Sequence, residues 1–377
     1  MINIEYLFQK LTDIGIDFFT GVPDSLLNDF CLYALSYCDN QHNIIAANEG
    51  NAVSIAAGYY LATGKIPVVY MQNSGIGNAM NPLLSLTHHD VYSIPMILVI
   101  GWRGDPSIKD HVQHKRQGEI TTLLMESMNI PYTILDDEDT VINKFGWAVA
   151  KAKEISSPVA LIAKKGILSE NKKTNSYPDE DMMMNREDVM DIVFEFMPDD
   201  TIYAATTGRA TRELHEIFAK RNLSHNREFL NVGSMGHNSS VALGMAVGRP
   251  EYHYVVFDGD SATLMHLGAL TTTGKVSPKH FLNIVLNNGV HESVGGQPSA
   301  GYFVDLTSMA KASGFNTIGK AVKTHEELKK ALEILNNIEG PSFIDVHIRL
   351  GIRSHVPILN VEHKELKMNL MNTLSKR

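Results

Sequence analysis

The run Tyr254-Val255-Val256-Phe257 has the apolar, β-branched and aromatic character of a buried strand, and it ends in Asp258-Gly259-Asp260-Ser261. Some 25 residues later a second such run, Asn283-Ile284-Val285-Leu286, ends in Asn287-Asn288-Gly289. In a parallel sheet the carboxyl ends of the strands share one rim, so the two turns converge there. A carboxylate, an amide oxygen and a main-chain carbonyl freed from the ladder are hard oxygen donors. That set suits Mg2+, which completes its octahedron with phosphate and water. Either turn alone is an ordinary way to leave a strand. Their spacing as a pair points to a metal and phosphate site.

Other candidate motifs fail on their own chemistry. Asn73-Ser74-Gly75-Ile76-Gly77-Asn78-Ala79-Met80 follows a strand, but Met80 stands where a dinucleotide fingerprint needs its third glycine. Gly64-Lys65 and Gly274-Lys275 are followed by Ile66 and Val276, so neither is a nucleotide-hydrolysing phosphate loop. The segment from Arg103 to Arg116 gathers Arg103, Lys109, His111, His114, Lys115 and Arg116 just after a strand end, where loops line sites. Such a cluster of cations and donors suits a small anion.

The elements that must position these residues alternate along the chain. Phe18-Phe19-Thr20, Ile44-Ile45-Ala46, Pro67 to Met71, Met96 to Ile100 and Val159 to Ala163 read as strands in the first half. Thr201 to Ala204, Tyr254 to Phe257, Asn283 to Leu286 and Ser342 to Val346 do so in the second. Near-continuous apolar strands separated by helical stretches indicate an α/β protein with two doubly wound parallel sheets, each covered on both faces. The polar, charged stretch from Leu168 to Asp188 has no apolar period and reads as a linker. The expected organisation is a first domain over 1–167, a linker over 168–188, a second domain over 189–365 and a tail over 366–377.

A net charge of −9 gives no footprint for nucleic acid, so an anionic substrate must meet a local basic cluster. Cys31 and Cys38 have no further cysteines with which to build a metal site and suggest reduced thiols. No apolar run approaches the roughly 18 residues that span a bilayer, and the first residues lack a signal-peptide pattern. A cytoplasmic protein is expected, with no membrane or nucleic-acid partner.

Asp260 and Asn288, spaced in this way, resemble the metal and diphosphate signature of thiamine diphosphate-dependent enzymes. That resemblance implies thiamine diphosphate and Mg2+ as cofactors, with Asp260, Asn288 and the Val290 carbonyl on the metal, and Asn287 orienting the turn. Ser261 stands where the family usually has a second glycine. Ala46 to Tyr60 resembles the family's glutamate followed by a small-residue helix, which implies that Glu49 passes a proton to the aminopyrimidine ring. Asn73 and Gly75 would pack near that ring. Met235, in Gly233-Ser234-Met235, would prop the cofactor in its bent form, and Gly233, Ser234, Gly259 and Ser261 would serve the diphosphate. Each has a plainer reading: Glu49 as a helix N-terminal acid and Met235 as a core methionine.

The absence of a central third domain, and the strings Gly21 to Leu27, Gly101 to Gly104, His111 to Gly118 and Asn287 to Gln297, resemble the phosphonopyruvate decarboxylases. The sulfopyruvate decarboxylases are the alternative. The resemblance implies release of CO2 and phosphonoacetaldehyde from 3-phosphonopyruvate, in at least a homodimer whose sites lie between chains. Arg103, His111, His114 and Lys115 are then expected to bind substrate. Asp24 would relay protons, and His291 or Glu292 would deliver the last one. A reading from a different class is a non-catalytic thiamine diphosphate-binding assembly protein.

Overall fold

The computed structural model describes residues 2–39, 41–168, 183–351, 356–357, 359 and 361–375. The chain divides into two compact units, Met1–Asn175 with Ser293–Gln297, and Ser176–Glu292 with Pro298–Arg377. Most of the expected linker lies outside the described residues. Its last residues are not linker, because Asn185 and Asp188 form a reciprocal capping box and the helix Arg186–Phe196 begins three residues earlier than expected.

The first unit contains β1 (Phe19–Gly21), β2 (Asn43–Ile45), β3 (Val68–Gln72), β4 (Ile97–Gly101), β5 (Tyr132–Leu135) and β6 (Val159–Ala163). They form one sheet in the order β2-β1-β3-β4-β6-β5, with every neighbouring pair parallel. Because side chains alternate across a strand, Val68 and Tyr70 enter one core while Val69 and Met71 enter another. Ile97 and Val99 of β4 divide from Leu98 and Ile100 in the same way. This two-sided burial explains why the strands read as continuous apolar runs. Each such side chain contributes roughly 1.5–3 kcal/mol.

The second unit repeats the logic with β7 (Ile202–Ala205), β8 (Glu228–Leu230), β9 (Tyr254–Gly259) and β10 (His280–Asn287). Two short strands, β11 (Val290–His291) and β12 (Gln297–Pro298), precede β13 (Gly340–His347). The parallel sheet runs β13-β10-β9-β7-β8. Val255 and Phe257 face one core, Tyr254 and Val256 the other. The stretch expected as a tail is largely the helix His363–Leu374, tied down by a hydrogen bond from Tyr252 Oη to the Thr373 carbonyl at 2.9 Å. Among the described residues no helix is long and apolar enough to cross a membrane.

Candidate active site

In the second unit the pairing of Gly259 with Leu286 puts Asp260 and Asn287 side by side at the carboxyl rim. Asp260 is only 2% exposed, and its Oδ2 accepts from the Ser299 hydroxyl. Burial pushes its carboxyl up to about 6, opposed by that hydrogen bond. Asn287 orients the turn, as expected. Its Nδ2 donates to the Gly301 carbonyl at 2.9 Å and to Asp345 Oδ1 at 3.1 Å, while its Oδ1 accepts from the Gly289 amide at 3.2 Å. Gly301 must be glycine here, because a Cβ would run into both Asp260 Oδ2 and Asn287 Oδ1. Asn288 Oδ1 accepts from the Val290 amide at 3.2 Å and keeps a second lone pair. After β8, Ser234 takes a left-handed φ of 48° and its carbonyl accepts from the His237 amide, closing a turn next to Gly233. Met235 in that turn is half-buried and belongs to neither core of this unit.

In the first unit Glu49 opens the helix Glu49–Thr63, which Asn48 caps by accepting from the Asn51 amide at 2.9 Å. Glu49 is 5% exposed and its Oε2 accepts from Asn78 Nδ2 at 2.8 Å. Gly75 lies directly on the carboxylate, where any Cβ would collide with it. Burial raises the Glu49 pKa above the ordinary carboxyl range, and the Asn78 hydrogen bond opposes the shift. Asn73, expected near the cofactor, instead braces the interior. Its side chain bonds the Arg103 carbonyl at 2.8 Å, Thr121 Oγ1 at 2.9 Å and the Arg103 amide at 3.1 Å.

The loops after β1, β4 and β6 enclose a cavity of about 330 Å³ whose wall includes Ser25, Arg103, Lys109, Asp110, His111 and Lys165. Three permanent cations face one carboxylate there. Arg103 is partly spent, because it binds Asp110 through two hydrogen bonds of 2.8 and 2.7 Å and reaches Ser25 Oγ at 3.1 Å. Asp24 beneath it is 1% exposed, with Oδ2 capping the Leu26 amide and Oδ1 buried without a hydrogen-bond partner. Burial pushes its carboxyl up to about 6, against the field of Arg103.

Residues 3–125 match the family described as "Thiamine pyrophosphate enzyme, N-terminal TPP binding domain", and residues 206–346 match its "C-terminal TPP binding domain". The chain belongs to the thiamine pyrophosphate enzymes. This thiamine pyrophosphate enzyme is 30% identical to phosphonopyruvate decarboxylase of Streptomyces viridochromogenes, over 93% of this chain and 89% of that one. It is 29% identical to phosphonopyruvate decarboxylase of Streptomyces hygroscopicus, over 93% and 88%. With sulfopyruvate decarboxylase of Methanosarcina acetivorans it shares 28% identity, over 98% and 97%.

The residues of this thiamine pyrophosphate enzyme fit a diphosphate and a divalent ion. Besides the oxygen donors Asp260 and Asn288, the buried Ser261 Oγ beside them has no hydrogen-bond partner within the protein. Buried polar atoms normally have one, and a phosphate with its cation supplies such partners.

Three expectations need correction. Glu292 was expected near the reacting carbon, but its oxygens accept from Arg186 Nη1 at 2.7 Å, Arg209 Nη1 at 2.6 Å, Asn288 Nδ2 at 3.0 Å and the Gly351 amide at 2.7 Å. Four donors leave no free position from which to pass a proton. Glu292 instead orients Asn288. His114 and Lys115 were expected among the substrate contacts, yet neither is on the cavity wall. Lys115 is exposed on the helix Val112–Ser127, and burial, with Arg103 adding to it, pushes His114 down to about 4, so it is a neutral donor. His291 is also neutral near pH 7, pushed down to about 4 by burial.

Sequence reasoning missed Asn78, Ser299, Lys165 and the ion pairs of Arg186. Asn78 stood inside a stretch already noted, but nothing in its spacing marked it. Arg186 is buried, binding Glu213 at 2.6 and 3.1 Å as well as Glu292. Arg186→Met strands the buried Glu213 carboxylate, removes one of the four donors to Glu292, and is expected to cost on the order of 3 kcal/mol. Urea unfolding of the second unit checks this, and a loss below about 1 kcal/mol would rule out the network as a structural anchor.

Proposed function

We propose that the chain is a Mg2+- and thiamine diphosphate-dependent decarboxylase that converts 3-phosphonopyruvate to phosphonoacetaldehyde and CO2. The observation that carries this reading is the cationic cavity of the first unit, opening on the same strand rim as the buried Glu49. Its net positive lining suits a substrate bearing a carboxylate and a phosphonate. The two Streptomyces relatives support the substrate, and the oxygen set of Asp260, Asn288 and Val290 supports Mg2+.

Bound thiamine diphosphate supplies a carbon nucleophile and an electron sink, which lets CO2 leave a 2-oxo acid. Glu49 holds a proton at its carboxyl and exchanges it with the aminopyrimidine. Gly75, by its lack of a side chain, admits the carboxylate to that position. Lys109 and Lys165 hold the phosphonate, and Arg103 and His111 orient the substrate. Met235 would support the cofactor, and Gly233, Ser234, Gly259 and Ser261 would hold its diphosphate. The homo-oligomer has at least two chains, each site drawing on the first unit of one and the second unit of another.

Lys165→Ala is expected to lower kcat/KM about 10- to 100-fold, mostly through KM, as the loss of one charge-assisted hydrogen bond predicts. Steady-state kinetics check this, and an unchanged KM removes Lys165 from the substrate site. Asp24 relays the proton to the product. Its carboxyl sits near 6, so kcat should fall as the pH rises through about 6 and the proton is lost. Asp24→Asn should abolish that limb at a lower overall rate, and a limb that persists in the variant excludes the role.

The match to sulfopyruvate decarboxylase over 98% of the chain favours a second reading, decarboxylation of sulfopyruvate. Comparison of kcat/KM for the two acids, with aldehyde detection, decides. Faster turnover of sulfopyruvate overturns the phosphonate assignment.

A further inference from the structure

The second unit holds a group of metal-ligand type that the decarboxylase chemistry does not use. His215 lies on the helix Arg209–Lys220, His225 in the turn that follows, and Glu228 is the first residue of the edge strand β8. His215 Nδ1 is 2.6 Å and His225 Nδ1 2.8 Å from the same oxygen, Glu228 Oε1. The two imidazole centroids are 4.0 Å apart. Glu228 is 1% exposed and its second oxygen, Oε2, is buried with no hydrogen-bond partner. The imidazoles are 24% and 32% exposed, so solvent reaches the cluster from their side.

A buried carboxylate is costly unless both its oxygens are satisfied, and here two donors crowd one oxygen while the other has none. Two protonated imidazoles packed this closely would repel each other. Two neutral ones beside a single carboxylate make the nitrogen and oxygen set of a divalent transition metal. Mg2+, which prefers oxygen ligands, is a poor match for it. The donors come from a helix, the turn after it and a strand of one packed unit, so the site is largely preformed. Donor atoms around a tetrahedral Zn2+ lie about 3.4 Å apart, so each imidazole needs to withdraw from Glu228 by roughly 0.6–0.8 Å, within the reach of a side-chain rotation. The other His and Asp group, His88-His89-Asp90, is built from three consecutive residues of a turn, two of them exposed, and lacks such a buried anchor.

We propose that His215, His225 and Glu228 form a second metal site, specific for a divalent transition ion of the Zn2+ class and distinct from the Mg2+ ligands. The ion joins the helix to the sheet edge, with its fourth position open to water. The same helix begins with Arg209 and contains Glu213, so the ion also steadies the residues that hold Glu292 and Asn288.

The test uses tag-free protein saturated with thiamine diphosphate and Mg2+, dialysed against micromolar Zn2+, with bound metal counted by mass spectrometry. One Zn2+ per chain is expected, retained in millimolar Mg2+. A double variant, His215→Gln with His225→Gln, keeps amide donors for Glu228 and should bind Zn2+ at least 100-fold more weakly. A His88→Gln, His89→Gln variant should keep the ion. Zn2+ should also raise the melting temperature of the wild type and leave that of the first variant unchanged. Absence of a bound ion in the wild type, equal uptake by the His215/His225 variant, or loss of the ion in the His88/His89 variant overturns the proposal.

Discussion

Glu49→Gln is expected to lower kcat about 10³-fold while thiamine diphosphate affinity stays within a few-fold of wild type. The glutamine fills the same space beneath Gly75, and its amide oxygen still accepts from Asn78, so packing and the local hydrogen bond persist. What disappears is a buried group able to carry a proton, and a positioned acid or base typically contributes 10²–10⁴-fold. Turnover by CO2 release, together with cofactor binding by calorimetry, separates the two effects. Turnover within tenfold of wild type would remove Glu49 from the chemistry. Parallel loss of binding would make its role one of cofactor affinity instead.

The second large effect is assigned to Asp260→Ala. Asp260 is nearly inaccessible, held by Ser299 and crowded by Gly301, so removing its carboxylate takes a formal charge from the rim and leaves Ser299 without its acceptor. Loss of groups that merely orient metal ligands costs 10- to 100-fold in affinity, so loss of a ligand should cost at least about 10²-fold in Mg2+-dependent thiamine diphosphate binding. Binding that stays equally tight, with or without Mg2+, would exclude the assignment. Mixing Glu49→Gln chains with Asp260→Ala chains tests the shared site as well. If each site draws on two chains, random reassociation regenerates intact sites and recovers about a quarter of wild-type activity. Recovery of none, despite subunit exchange, would place each site within one chain.

The central strands were legible because burial on both faces leaves an unbroken apolar run. β3, β4, β6, β9 and β10 all show it. β5 and β8 escaped notice because they are edge strands. Tyr132, Thr133 and Ile134 are only half-buried, and β8 begins with a charged residue. The start of the helix at Arg186 was encoded in Asn185 and Asp188, but the surrounding charge masked it. At the site, Asp260 and Asn288 could be paired from spacing alone because adjacent parallel strands impose it. The basic loop showed its charge but not its bookkeeping, since Asp110 consumes much of Arg103. Glu292 was misread for a related reason: its partners Arg186 and Arg209 are distant in the chain, and no local pattern predicts such an ion pair.

The guanidinium of Arg186 belongs to the first residue of the first described helix of the second unit, and it reaches the loop that orients Asn288. Loading of the rim and the integrity of that helix are therefore linked equilibria: a ligand that favours the ordered loop also resists fraying of the helix. Under the proposed function, the vitamin and its ion would act in this way as a latch on the helix Arg186–Phe196, and starvation for either would be felt first as looseness at Arg186.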